Sequence, residues 1–245
     1  MNKRIYFTYF LLIFCSNLLF AQVPNSGGDA DFSQFSPGFS FGYVNNTYTI
    51  VKRPDWNKPF FDPASNKYIT DQLSSITSNN LPGFSLGFIS RYSLTDNLEV
   101  RFTPTLVFAD RQLTYVYLST APNVVRQIQT TTADIPFSLK LKSERIGNFR
   151  AYITGGLKYS ATIGKGNGND ANTLNLVDKQ VKNVGGFASY EAGFGCDIYY
   201  EYFKLSPEIK LSNSFGDILV HENQPYSSPI SKLLLNTITI SLYFE

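Results

Sequence analysis

The chain has 245 residues and is 16% aromatic, with 21 Phe and 16 Tyr against a single Trp and a single Met. Its formal charge is +2; setting aside Lys3 and Arg4 leaves 19 basic residues against 19 acidic ones, a balance that gives no basis for binding nucleic acid. The mean hydropathy of −0.12 is too polar for a bundle of membrane helices, whereas an aromatic excess suits strands and membrane-interface girdles.

The N-terminus, "MNKRIYFTYFLLIFCSNLLFAQ", has a basic start, an apolar run from Ile5 to Phe20, and the small residue Ala21 before Gln22. That order predicts a secretory signal over residues 1–21 and a mature domain over 22–245. A membrane anchor is the rival reading, but the run is short and interrupted by Thr8, Ser16 and Asn17. Phe14 stands before Cys15 where lipidation needs a small residue. With the signal removed, Cys196 is alone, so no intrachain disulfide and no cysteine metal cluster is expected.

Beyond the signal, apolar residues recur with period two, which means strands. Eight are predicted in chain order: Gly38–Asn46, Leu81–Leu94, Leu98–Tyr117, Gln127–Lys142, Phe149–Ile163, Phe187–Tyr200, Tyr202–Ser212 and Leu233–Phe244. In the third, apolar residues leave the even positions (Leu98 to Phe108) for odd ones (Leu113, Tyr115, Tyr117), which predicts a bulge near Ala109–Gln112. No segment has a helical period. Tight connections at 95–97, at 143–148 and near Glu201 alternate with long ones at 47–80, 118–126, 164–186 and 213–232. Strict alternation of short and long has no cause in a soluble sandwich. It is expected of an up-and-down outer-membrane barrel with short periplasmic turns and long external loops. An even strand number puts both termini in the periplasm.

The faces opposite the apolar ones carry charges of both signs, among them Arg91, Glu99, Arg101, Asp134, Lys140, Lys142, Arg150, Lys158, Glu191, Asp197, Lys204, Glu208 and Lys210. In a soluble fold these would face water. In a barrel they line the lumen while the apolar faces meet lipid. The predicted fold class is therefore an all-β, eight-stranded antiparallel transmembrane barrel in the outer membrane of a Gram-negative bacterium. Eight strands enclose an interior just filled by side chains. Arg91, Arg101, Lys140, Glu191, Glu208 and Lys210 are thus expected to form a packed ionic network rather than a pore. Glycines at 155, 156, 193 and 195 are read as permitting bends or close inward contacts.

Signals for chemistry are sparse. His221 is the only histidine and lacks the partners of a triad or a zinc site. "GKGNGNDAN" at 164–172 lacks the spacing of a phosphate loop, and its single Asp170 is too little for calcium. No catalytic residue, cofactor, metal site or small-molecule substrate is expected, and the chain reads as a non-enzyme. The loop 47–80 differs in quality. Trp56, Phe60, Phe61 and Tyr68 sit among Lys52, Arg53 and Lys58, a mixture suited either to an interface or to packing over the barrel mouth.

Four stretches, "PGFSLGFISRYSLTDNLEVRFTPTLVFADRQLTYVY" (82–117), "KLKSERIGNFRAYITGGLKYS" (140–160), "YFKLSPEIKLSNSFGDILV" (202–220) and the final "SLYFE", resemble the PorT/SprT family. These are outer-membrane barrels linked to type IX secretion and gliding motility. The resemblance covers most of the mature chain, most specifically "RFTPTLVFADR" and "FKLSPEIK", and less of the loops 47–80 and 164–186. It implies a non-enzymatic role in exporting proteins that carry a C-terminal sorting signal, with other secretion-machinery proteins and outer-membrane lipid as partners. It supplies no catalytic residues. Arg101, Pro104, Arg111, Pro207, Glu208 and Lys210 lie within the matching runs. The alternative is a surface barrel whose loops bind glycan or host protein.

Overall fold

The computed structural model describes residues 33–119, 122–128, 131–163 and 176–245. The predicted signal and the segment 164–172 lie outside the described residues. The elements are β1 (Phe35–Lys52), β2 (Phe61–Asp62), β3 (Lys67–Tyr68), β4 (Leu73–Asn79), β5 (Leu81–Ser93), β6 (Leu98–Phe102), β7 (Thr105–Phe108), β8 (Arg111–Tyr117), β9 (Val124–Ile128), β10 (Thr131–Lys142), β11 (Phe149–Ile163), β12 (Gly186–Tyr199), β13 (Lys204–Ser214) and β14 (Ile230–Phe244).

Eight antiparallel staves close into a ring in the order β1, β5, β6 with β7, β10, β11, β12, β13, β14 and back to β1. β6 and β7 form one stave. Arg101 faces Arg91 and Thr105 faces Gly87 in a single register on one side, and Phe102 faces Phe137 and Thr105 faces Asp134 on the other. The interruption at Thr103–Pro104 arises because proline has no N–H to give the ladder. Its carbonyl still accepts the Phe88 N–H at 3.0 Å. The seam between first and last staves is stapled from outside by Phe39 stacked on Phe244, centroids 4.9 Å apart.

The face assignment follows from β10. Ile135, Phe137, Leu139 and Leu141 point outward, while Asp134, Ser138, Lys140 and Lys142 are buried inside. The same parity holds around the ring: Phe41, Leu86, Phe88, Ile153, Leu157, Phe194, Leu211 and Ile240 are exposed while charged residues are enclosed. So large an apolar girdle needs hydrocarbon, not water, around it. Phe137 lies mid-stave on this outer face and is 57% exposed. Phe137→Arg is expected to destabilise the barrel in bilayers by about 2–4 kcal/mol, read as a lower urea midpoint in lipid vesicles. An unchanged midpoint would mean that Phe137 does not meet lipid.

The predicted bulge near Ala109–Gln112 is corrected. Thr131 faces Phe108 and Ile128 faces Arg111, so this edge advances three residues on each side without a slip. The extra residue is on the neighbouring edge: Phe84 faces Phe108, whereas Asn79 faces Gln112, placing it at Asn80. Inward residues keep odd numbers throughout, from Arg101 through Val107 and Ala109 to Leu113 and Tyr115. What changes is the polarity of the inside. Within the girdle the interior is ionic; beyond it, the interior is an apolar core.

A three-stranded sheet, β4–β8–β9, continues the staves past the girdle and supplies part of that core. Part of the predicted loop 47–80 is therefore strand: β1 runs on to Lys52, and β4 covers Leu73–Asn79. Period two misses β4 because its register shifts between Leu73 and Ser75, so Leu73 and Ile76, three apart, both turn inward. Likewise β9 begins at Val124, inside the predicted connection 118–126.

Candidate functional site

The lumen has three layers. The first is ionic and lies at the end with the short turns, because its members sit at the matching ends of the staves. Arg91 is near the end of β5, Glu99 near the start of β6, Lys140 and Lys142 near the end of β10, Lys204 opens β13, and Glu245 follows β14. Glu99 is the hub: it meets Arg91 at 3.2 Å, Lys142 at 2.5 Å, Lys140 at 3.8 Å and Arg101 at 4.0 Å. Glu245 is a second hub, meeting Arg91 at 2.6 Å, Lys204 at 2.9 Å and Arg101 at 3.3 Å. Arg101 also reaches Glu208 at 3.2 Å, and Lys140 donates to Asp197 at 2.6 Å. Two rings insulate the cluster. Tyr152 lies 3.8 Å from the Lys140 ammonium and 5.0 Å from the Arg101 guanidinium, and Tyr243 donates to Glu208 at 3.2 Å. Gly195 is needed here, since a Cβ would come within 2.6 Å of the Tyr152 hydroxyl. Arg150 seals the end by donating to the turn carbonyls of Ser143 at 2.6 Å and Asp96 at 2.7 Å.

Charges this deep are costly singly and tolerable only when mutually paired. The arrangement binds six staves through side chains that cross the interior, in addition to the ladder hydrogen bonds.

Above the plug lies a polar chamber of about 50 Å³, walled mainly by hydroxyls such as Ser85, Thr103, Thr132 and Thr237. Lys158 meets Asp134 at 3.0 Å, and Lys210 meets Glu191 at 3.2 Å along its wall. The third layer is the apolar cap over the chamber. Tyr48, Leu73, Ile76, Leu113, Tyr115, Val181, Phe187, Ile218, Leu219, Tyr226, Ile230, Leu233 and Leu235 form one buried cluster. Tyr115 stacks edge-on against Tyr226 at 5.2 Å and donates its hydroxyl to the Tyr226 carbonyl at 2.6 Å. Burial raises the Tyr115 phenol well above its ordinary range. Asp217 accepts from the N–H groups of Leu233 at 2.8 Å and Leu219 at 3.0 Å and faces His221 at 2.6 Å. Burial pulls its carboxyl up, but those donors hold it below the usual value.

Residues 20–220 match the family described as outer membrane protein beta-barrel domain. The chain belongs to that family. It is an outer-membrane barrel of the small type, with eight strands in the ring. Among solved structures, Neisserial surface protein A is similar at a TM-score of 0.44 and 7% identity, over 86% of this chain and 98% of that one. The outer membrane protein OprG from Pseudomonas aeruginosa is similar at 0.44 and 12%, over 86% and 93%. No curated protein matches the chain in sequence.

In this outer-membrane barrel the six lumen residues singled out from the sequence join one continuous chain of ion pairs, with Glu99 as a link. Arg91, Arg101, Lys140 and Glu208 are in the turn-end plug. Lys210 bridges Glu208, at 3.3 Å, to Glu191 on the chamber wall. Glu245 was missed, although its odd number places it on the inward face with Tyr243 and Ser241. The four loop aromatics separate in two ways. Phe61 and Tyr68 pair across the β2–β3 hairpin with centroids 5.3 Å apart and point outward, Tyr68 being 70% exposed. Trp56 turns inward, half-buried against the cap core, with the Lys52 ammonium 3.8 Å over its ring. Phe60 is half-buried between them, its N–H donated to Thr70.

Proposed function

We propose that this barrel is a non-enzymatic structural or assembly component of type IX protein secretion, and of gliding motility where the host glides, but not the conduit. The observation that carries the second half is the three-layered lumen. An ionic plug, a chamber of about 50 Å³ and an apolar cap leave no path for a polypeptide. The first half is supported by the sequence resemblance in residues 82–117 and 202–220. On this reading its partners are the secretion machinery and outer-membrane lipid, and both ends of the barrel chain face the periplasm. The β1 and β14 ends already lie together at the short-turn end, with Phe39 opposite Phe244.

The test is a clean gene deletion followed by assay of the medium for cargo bearing the C-terminal sorting signal. Cargo is expected to remain in the cell, and re-expression restores its release. Normal secretion in the deletion strain refutes the proposal. The outward pair Phe61 and Tyr68 favours the second reading, a surface barrel that binds glycan or host protein through its hairpin. Replacing residues 53–72 with a short turn separates the two. Lost adhesion with intact secretion supports the surface reading.

A further inference from the structure

Around the chamber, the ion pairs among the described residues leave one cation over. Arg111 opens β8, points into the barrel and is only 4% exposed. It lines the chamber together with Lys158, Lys210, Asp134 and Glu191. Lys158 is matched by Asp134 and Lys210 by Glu191, so among the described residues the charged wall leaves Arg111 without a carboxylate partner. Its Nε and Nη1 are buried and have no hydrogen-bond acceptor among the described residues. A guanidinium does not escape by losing its proton. A buried cation without a counter-charge costs several kcal/mol, a cost that a bound anion would offset.

We propose that Arg111 and the hydroxyls around it form a binding site for a small inorganic oxyanion, of the phosphate or sulfate class, inside the barrel. The guanidinium fork suits such an anion, because its parallel N–H groups match two oxygens. The walls supply further hydroxyls: Thr132 and Ser85 are buried and face the same space. Size selects the ligand. At about 50 Å³ the chamber admits a few water-sized groups. A tetrahedral oxyanion is of that scale; a nucleotide, a sugar or a lipid headgroup is not. The site is independent of the secretion role, since binding is measured on the purified barrel.

The experiment uses the full barrel extracted from outer membranes in a non-ionic detergent and dialysed free of phosphate. Equilibrium dialysis with radiolabelled inorganic phosphate is expected to show saturable binding approaching one per barrel. The unfolding temperature, read from heat-modified gel mobility, is expected to rise over the same concentration range. Arg111→Gln is expected to weaken binding by about ten- to a hundredfold, the loss of a charge-assisted hydrogen-bond pair. No saturable binding by the native barrel overturns the proposal, as does Arg111→Gln binding like the native chain. If Arg111→Gln does not fold, Thr132→Val carries the test: a severalfold loss is expected, and unchanged affinity is contrary. A shift obtained with phosphatidic acid in the micelle but not with inorganic phosphate assigns the effect to a lipid on the outer wall and also overturns it.

Discussion

Arg101→Glu is expected to leave little folded barrel. Arg101 holds Glu208 at 3.2 Å and Glu245 at 3.3 Å and lies 4.0 Å from Glu99, with 2% of its side chain accessible. Removing one partner of a buried ion pair costs about 3–5 kcal/mol, because the charge left behind keeps its desolvation penalty without its compensation. Reversal goes further. The new carboxylate faces three others where no water can screen them. That loss is comparable to the whole stability of an ordinary domain, about 5–15 kcal/mol. The measurement is heat-modified gel mobility of outer-membrane fractions: the compact band is expected to fade, and its conversion temperature to drop. Adding Glu208→Arg to the reversed chain restores one pair of opposite sign and is expected to recover part of the band, as coupled neighbours should. A reversed single variant with native yield and native conversion temperature would show that the plug carries no net stability.

The second large effect concerns the other end of the lumen. Tyr115→Ala is expected to cost about 3–5 kcal/mol locally, the usual result of deleting a buried aromatic ring. Tyr115 is fully buried, stacks on Tyr226 and caps the Tyr226 carbonyl with its hydroxyl at 2.6 Å. Without the ring the cap loses the contact that ties β8 to the connection before β14. The barrel below should persist, because the cap cluster and the ionic plug share no residue. Trypsin digestion in detergent is the readout. Cleavage near Arg53, Lys58 and Lys182 is expected to accelerate, while the compact band of the barrel survives. Loss of both together would mean that cap and plug unfold as one unit. Tyr115→Phe keeps the ring and removes only the hydrogen bond, so its effect should be about 1 kcal/mol.

The two substitutions show why residues of similar inward parity act differently. Leu113 and Arg101 both carry odd numbers on one continuous stave, and both point inside. One sits in the apolar cap and the other in the ionic plug. Period-two reading took the appearance of apolar residues at odd positions as a slip in the strand. In the molecule the strand does not slip. It leaves the bilayer, and the solvent on its outer face changes from hydrocarbon to water. Where lipid surrounds the wall, greasy side chains are stable outside; where water does, they are stable only inside.

The amino-acid order was enough to decide what alternation alone controls. Successive side chains on a strand must point to opposite faces, so "DIPFSLKLK" separates Ile135, Phe137, Leu139 and Leu141 from Ser138, Lys140 and Lys142 without any knowledge of neighbours. The same logic located eight staves and the rhythm of short and long connections. Tertiary structure decided which charges meet. Arg91 and Glu245 are 154 positions apart in numbering, yet they touch at 2.6 Å because ring closure returns β14 to β1. Those partners depend on stave register, tilt and closure. Arg111, without a carboxylate partner among the described residues, illustrates the same cause: a residue's face is a local property, but its counter-charge is set by what the closed ring places across from it.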